Sequence, residues 1–108
     1  MKRFVQVILL LAICATNLSF TTSKVYLASA YSLRGRTASG TMVQRGIVAA
    51  DRRLHPLNTT INVSNAGKYS GAYRVADTGG RIKGRRIDIW MVSSKEAKRF
   101  GKRKVLVN

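Results

Sequence analysis

Beyond residue 23, the apolar positions of this chain come in short runs that mostly alternate with polar ones and are broken by Gly, Asn and Ser. That pattern predicts strands. Lys24 to Tyr31 (KVYLASAY), with Val25, Leu27 and small residues, reads as the first. Ser32 to Gly40 has loop composition, including Thr37-Ala38-Ser39-Gly40. Gly46 to Ala50 predicts a short strand ending at Asp51, and its small residues suit an interior where strands come close. Arg52 to Leu57 is a turn around the single proline, Pro56. Thr59 to Val63 alternates with β-branched residues and predicts a third strand. After a turn at Asn65 to Lys68, Gly71 to Asp77 predicts a fourth, with Tyr73, Val75 and Asp77 on one side and Ala72, Arg74 and Ala76 on the other. Thr78-Gly79-Gly80 breaks it. Arg86 to Trp90 is a fifth strand and Lys102 to Val107 a last one. Between them, Ser93 lies three residues ahead of Glu96, a capping-box spacing, and a helix runs on through Phe100 to a terminating Gly101.

Six short strands and one small helix, with no repeated helical crossovers, predict an all-β barrel rather than a doubly wound sheet. The barrel domain takes residues 24–108. Residues 1–22 read differently: Met1-Lys2-Arg3 is a basic start, Phe4 to Ala15 is apolar apart from Gln6, and polar Thr16, Asn17 and Ser19 follow. This is the layout of a secretory signal peptide. The apolar run is short for a membrane span, and a retained N-terminal anchor is the alternative. Cys14, the only cysteine, lies inside the run. Leu11-Ala12-Ile13-Cys14 fits a lipoprotein box only partly, since Ile13 is bulky where a small residue is expected. Removal of the segment leaves no disulfide, no thiol nucleophile and no cysteine-based metal site.

Charge narrows the choice of partner. Twenty Lys and Arg face four acidic residues, and without Lys2 and Arg3 the formal charge is +14. Such an excess attracts polyanions. For an intracellular chain these would be nucleic acids; behind a signal peptide they are polymers of the cell envelope. No nucleic-acid partner is therefore expected, and the chain is expected to be a monomer.

The four acidic residues are Asp51, Asp77, Asp88 and Glu96. Ser93 makes Glu96 a helix-cap residue. Asp77 and Asp88 each end or interrupt an apolar strand. General acid catalysis needs a carboxyl still protonated near neutral pH, which apolar surroundings (Ile87, Ile89, Trp90) or a neighbouring carboxylate (Asp77 beside Asp88) would supply. Bland readings stand beside these: an Asx turn for Asp77, an ion pair with Arg85 or Arg86 for Asp88, and a salt-bridged turn with Arg52 or Arg53 for Asp51. His55 reads as a turn or surface residue, and no metal-ligand constellation or cofactor motif is present. Thr37 and Ser39 have no nearby base to activate them. Tyr31, Tyr69, Tyr73 and Trp90 are core or rim residues, or platforms for sugars or bases. Arg81, Lys83, Arg85 and Arg86 form either a solvated face or an anion grip. The sequons at Asn17, Asn58 and Asn62 are read as chance.

Together, Ala30-Tyr31, Thr37-Ala38-Ser39-Gly40, Val48-Ala49-Ala50-Asp51, Pro56-Leu57-Asn58-Thr59, Ala76-Asp77-Thr78-Gly79-Gly80, Ile82-Lys83-Gly84 and Ile87-Asp88 resemble, in order, the 3D domain, a family named for three aspartates. The segment through Ala97, Phe100 and Gly101 also resembles the C-terminal part of the membrane-bound lytic transglycosylase A family. The resemblance covers roughly residues 25–107. It departs at Arg52, where proline often follows the first aspartate, and at Asn58, which replaces a glycine. It implies a six-stranded double-psi β-barrel. It also implies cleavage of peptidoglycan between N-acetylmuramic acid and N-acetylglucosamine without water, leaving a 1,6-anhydro end. The three aspartates carry over as Asp51, Asp77 and Asp88, with Asp88 as acid and base, and Thr37 matches a threonine of the substrate groove. Gly79, Gly80, Arg81, Lys83, Arg85 and Arg86 are then expected to meet the glycan or its carboxylates. The expected location is the cell wall, secreted or periplasmic. The alternative on the same barrel is a wall-polysaccharide-binding module without activity.

Overall fold

The computed structural model describes residues 22–108, so Cys14 and nearly all of the expected signal segment lie outside the described residues. Strands form at β1 (Lys24–Tyr31), β2 (Ile47–Ala50), β3 (Thr60–Ser64), β4 (Gly71–Asp77), β5 (Arg86–Trp90) and β6 (Arg103–Val107). They close in the order β1-β5-β2-β4-β3-β6. β1–β5 and β2–β4 are parallel, and the other neighbours are antiparallel. Closure removes the unpaired strand edges that a small open sheet would expose. The all-β barrel expected from the period of two is the one that forms, with a topology consistent with the double-psi barrel.

Its interior is filled by Val48, Ala50, Val75, Ile87, Ile89, Val105 and Val107, all buried. Burying one such Val or Ile side chain contributes roughly 1.5–3 kcal/mol. β1 sends Tyr26 and Ala28 inward and leaves Val25 half-exposed. The reason lies in the pairing: Ala28 sits beside Ile87, so a small residue faces a large one. Tyr26 instead reaches the turn after β2, where its hydroxyl meets His55 Nε2 at 2.6 Å.

The helix α1 (Ser94–Phe100) packs against β1. The Ser93 hydroxyl accepts the Glu96 N–H at 3.1 Å. At the other end Gly101 takes φ 67°, and its N–H bonds the Ala97 carbonyl at 3.0 Å. The buried Phe100 ring meets Tyr69 edge-on, with centroids 5.2 Å apart.

Asn58 adopts φ 72°, the left-handed region that costs most L residues roughly 1–2 kcal/mol. Its Oδ1 accepts from Arg74 at 3.1 Å. Asn58→Gly is therefore expected to be nearly neutral, because glycine accepts that conformation and only an exposed hydrogen bond is lost. Asn58→Val should lower stability by about 1–2 kcal/mol, read as a lower urea midpoint at unchanged slope.

One strand departs from strict alternation. β2 and β4 pair as Ile47 with Arg74 and Val48 with Val75, and then Ala49 pairs with Asp77 rather than Ala76. This bulge overturns the expected grouping of Asp77 with Tyr73 and Val75. The extra residue turns Asp77 to the outer face of the barrel, on the side of Ala49.

Candidate functional site

The bulge creates a row of side chains across four adjacent strands. Ala49 pairs with Asp77 on one side and with Asp88 on the other, and Asp88 pairs in turn with Ser29. The outer row is therefore Asp77, Ala49, Asp88, Ser29. Asp77 and Asp88 are two strand spacings apart, about 10 Å at the backbone, with only the Ala49 methyl between them. A larger residue at position 49 would fill that gap.

Asp88 is half-buried, and one oxygen accepts the Ser29 hydroxyl at 3.0 Å. Burial pushes its carboxyl above the ordinary value, while the Ser29 hydroxyl and the Arg86 charge pull it back. Of the two causes expected from sequence, burial operates and a neighbouring carboxylate does not: Asp77 is not among the groups that shift Asp88. Nor does Asp88 pair with Arg85 or Arg86. Among the described residues the ion pairs are Arg45–Glu96 and Arg53–Asp51.

Asp77 is held from two directions. Its Oδ1 accepts the Thr78 N–H at 2.9 Å, a local turn contact, and the Ala38 N–H at 3.1 Å. Ala38 belongs to the loop between β1 and β2, which lies across the outer face; the Ser39 N–H also bonds the Ala76 carbonyl at 3.0 Å. The Thr37 hydroxyl is not brought to the carboxylates. It is buried within its own loop, at 2.8 Å from the Ser39 hydroxyl and bonded to the Thr41 carbonyl at 2.9 Å. Thr37 shapes the loop whose next N–H holds Asp77.

Asp51 is buried and saturated. It accepts from the Arg53 backbone N–H at 3.0 Å, Arg53 Nε at 3.1 Å, Arg53 Nη2 at 2.8 Å and the Gly84 N–H at 2.8 Å. The Arg53 side chain and the two backbone donors hold its carboxyl far below the usual range. Asp51 thus ties the turn after β2 to the basic loop between β4 and β5. The two segments enclose a cavity of about 160 Å³ lined by Asp51, Arg52, Thr78, Gly79, Gly80 and Lys83, among others. A Cβ on Gly79 would stand 2.9 Å from Ile82 Cγ1, so glycine is required there for packing. Arg81, Lys83 and Arg85 project outward, exposed, and Arg86 is half-buried beside Asp88.

Glu96 does more than cap. Its carboxylate takes a two-pronged bond from Arg45, at 3.2 and 2.8 Å, and the Tyr69 hydroxyl at 2.8 Å. These donors hold its pKa at about 2, against an ordinary 4.5. A depressed carboxyl stabilises the fold above its unfolded value and loses that contribution as pH falls through the folded one. Glu96→Gln should therefore lower the thermal midpoint at pH 7, with the difference from wild type shrinking as the pH is brought down from about 4.5 toward 2. An undiminished difference at the acid end would contradict this assignment.

Two members of the site were not singled out from sequence. Ser29 and Ala49 are unremarkable letters, and only the order of strands reveals that they flank Asp88. The available signal was weak: Ser29 alternates with Tyr31 on β1, and Ala49 stands two residues before Asp51. Among the described residues, no cluster of three or more His, Cys, Asp or Glu stands close enough to hold a metal ion.

Comparison with known proteins agrees with this architecture. The 3D domain family model matches residues 46–108. The chain is 36% identical over 107 residues to the SPbeta prophage-derived uncharacterized protein YorM of Bacillus subtilis (strain 168), covering 87% of this chain and 44% of that protein. It is 31% identical over 90 residues to the cell wall-binding protein YocH of the same organism, covering 80% of this chain and 30% of that one. It thus spans less than half the length of these relatives. Among solved structures, the lytic transglycosylase MltA of Escherichia coli superposes with a TM-score of 0.56 at 27% identity, over 69% of this chain and 27% of that one. MltA with bound chitohexaose gives a TM-score of 0.51 at 23% identity, over 70% and 28% of the two chains, a likeness of fold alone. Matched by the family model over more than half its length, the chain belongs to the 3D domain family.

Proposed function

We propose that this barrel is a peptidoglycan lytic transglycosylase that cleaves the bond between N-acetylmuramic acid and N-acetylglucosamine. The observation that carries this reading is Asp88: a carboxyl on the outer face of the barrel whose burial raises its pKa. Asp88 protonates the glycosidic oxygen as the bond from C1 to that oxygen breaks. Its carboxylate then takes the proton from the C6 hydroxyl as that oxygen attacks C1. Atoms balance without water, and one residue serves as acid and base, unlike the two-carboxylate scheme of hydrolytic glycosidases. No cofactor or metal enters these steps.

Asp77 orients the substrate or the Asp88 proton from across Ala49, and Asp51 holds the cradle. Asp77 and Asp88 lie in the row of side chains on the outer face of the barrel. An open face suits a polymer better than a small molecule, which prefers a concave pocket. The Gly79 and Gly80 N–H groups have no backbone partner among the described residues and are available to the glycan. Thr37 supports Asp77 through its loop. Arg81, Lys83, Arg85 and Arg86 meet lactyl or peptide carboxylates. The partners are glycan strands and other anionic envelope polymers, met by a monomer that is secreted or periplasmic. An N-terminal signal peptide or anchor within residues 1–22 would deliver it.

A second reading has its own support. YocH is described as cell wall-binding, and a charge of +14 without Lys2 and Arg3 would hold any protein on an anionic wall. The same barrel would then bind wall polysaccharide without cutting it. Incubation with purified peptidoglycan separates the two. Anhydro-muropeptides in the supernatant support the enzyme; sedimentation with the wall and no released fragments supports the binding module.

A further inference from the structure

A groove of about 470 Å³ runs between β1 and α1, starting beside the carboxylate row. One wall is the chain from Ser29 on to Leu33, and the other is a face of α1 and its exit, where Ala97, Lys98 and Lys102 stand. The groove opens at Ser29, whose hydroxyl donates to Asp88 at 3.0 Å, so it begins one strand away from that carboxyl. Lys102 flanks the same mouth. β6 pairs with β1 as far as Arg103 opposite Ala28, which puts Lys102 next to Ser29 in register. Lys98 lies four residues back, in the last turn of α1. Both lysines are exposed, and neither has an acidic partner among the described residues, where the ion pairs are Arg45–Glu96 and Arg53–Asp51. No acidic side chain lines the groove. Between the cations and Ser29 its surface is apolar: Ala30, Ala97 and Leu33, whose side chain is 77% exposed. The frame is preformed. The Tyr31 carbonyl accepts the Met91 N–H at 2.7 Å, the Leu33 carbonyl accepts the Trp90 indole at 2.9 Å, and Ser93 and Gly101 cap the helix.

An apolar trough with two unpaired cations along it suits a ligand that is aliphatic and carries carboxylates. A sugar chain, dense in hydroxyls, would leave many of them without partners there. We propose that this groove seats the short peptide that muramic acid carries on its lactyl group, with Lys98 and Lys102 pairing with its carboxylates. The inference rests on the wall-glycan reading for its substrate and deepens it. A muramic sugar reacting at Asp88 would send its peptide arm over Ser29, on the adjoining strand. From Ser29 to Leu33 the wall spans at most roughly 13 Å, the length of about four extended peptide residues. The basic loop between β4 and β5 serves a different stretch of the polymer. β1 and β5 run parallel, from Leu27 beside Arg86 to Tyr31 beside Trp90. Arg81, Lys83 and Arg85 therefore lie before Asp88 along β5, and the groove extends beyond it. Two sets of cations flank the carboxyl, the loop set on one side and the lysine pair, with its apolar floor, on the other.

The test is binding of soluble glycan strands to the Asp88→Asn protein, used so that the strands stay uncut. One batch carries its peptides; the other is stripped of them by an amidase, which leaves the lactyl carboxylates and so keeps the sugar chain anionic. At about 0.15 M salt, which screens general attraction, the peptide-bearing strands should bind about fivefold more tightly, the scale of two exposed charge pairs. Adding Lys98→Ala and Lys102→Ala together should bring the two affinities to within about twofold of each other. Adding Lys95→Ala and Arg99→Ala instead removes the same charge from α1 outside the groove and should keep the preference. Equal affinities in the parent protein, no binding of either batch, a preference that survives loss of Lys98 and Lys102, or one lost equally in the control pair overturns the proposal. Absence of anhydro-muropeptides from wild type would sink the enzymatic reading yet leave this comparison standing, since it reads binding alone.

Discussion

Asp88→Asn is expected to cut release of anhydro-muropeptides by roughly 10²–10⁴-fold, the range that a general acid and base supplies, while the barrel stays folded. The second half of the expectation follows from the direction of the pKa shift. Burial raises the Asp88 carboxyl above its unfolded value of 3.8. The native state then binds the proton more tightly than the unfolded chain, so this group lowers stability as pH rises from 3.8 through the folded value. Asn carries no such charge and can still receive the Ser29 hydroxyl. The variant should therefore match or exceed wild type in thermal midpoint at pH 7 and show no advantage below pH 3.8. Activity lost together with the fold would mean that Asp88 is structural.

Asp51→Ala should behave in the opposite way and give the largest loss of stability of the four carboxylate replacements. Its four accepted bonds join Arg53 to Gly84. Truncation strands the Gly84 N–H and leaves the β4–β5 loop untethered. A carboxyl depressed in the folded state stabilises above its unfolded pKa, and that contribution fades as pH falls through and below 3.8. The gap between Asp51→Ala and wild type should therefore be widest near neutral pH and close toward strong acid. Amide exchange should quicken first at Gly84 and the residues around it. Activity should fall along with folded population, in contrast to Asp88→Asn, where activity alone falls. The two variants separate a residue that performs chemistry from one that holds its frame.

The period of two was enough to place the strands to within a residue or so, and Ser93, Glu96 and Gly101 placed the helix. These signals are local, and so they survive without knowledge of partners. Inward and outward faces were harder. β1 buries Tyr26 and Ala28 because Ile87 lies alongside, and nothing within KVYLASAY announces that neighbour. Asp77 changed sides for a related reason: a bulge is a property of two strands, and GAYRVAD alone reads as regular alternation.

The site shows the same division. Rarity of carboxylates and the family resemblance together singled out Asp51, Asp77 and Asp88, with Asp88 as acid and base, but they carried no information on how the three are placed. Pairing with Ala49 joins Asp77 to Asp88 in a row, whereas four hydrogen bonds commit Asp51 to the scaffold. Glu96 looked like a cap by spacing, and its N–H does meet Ser93; its carboxylate is spent on Arg45 and Tyr69, which are 51 and 27 residues away in the chain. Contacts across such separations depend on the closed topology and leave no pattern in sequence. Thr37, matched by resemblance to a substrate-groove residue, turns its hydroxyl into its own loop and contributes through the Ala38 N–H beside it.

The central claim is intramolecular attack by the C6 hydroxyl rather than by water, and one measurement tests it directly. Purified peptidoglycan is digested in water enriched in heavy oxygen, and the new muramic ends are weighed by mass spectrometry. The account predicts anhydro ends that lack the elements of water and carry no heavy oxygen. Ends that have gained labelled water would identify a hydrolase and contradict it.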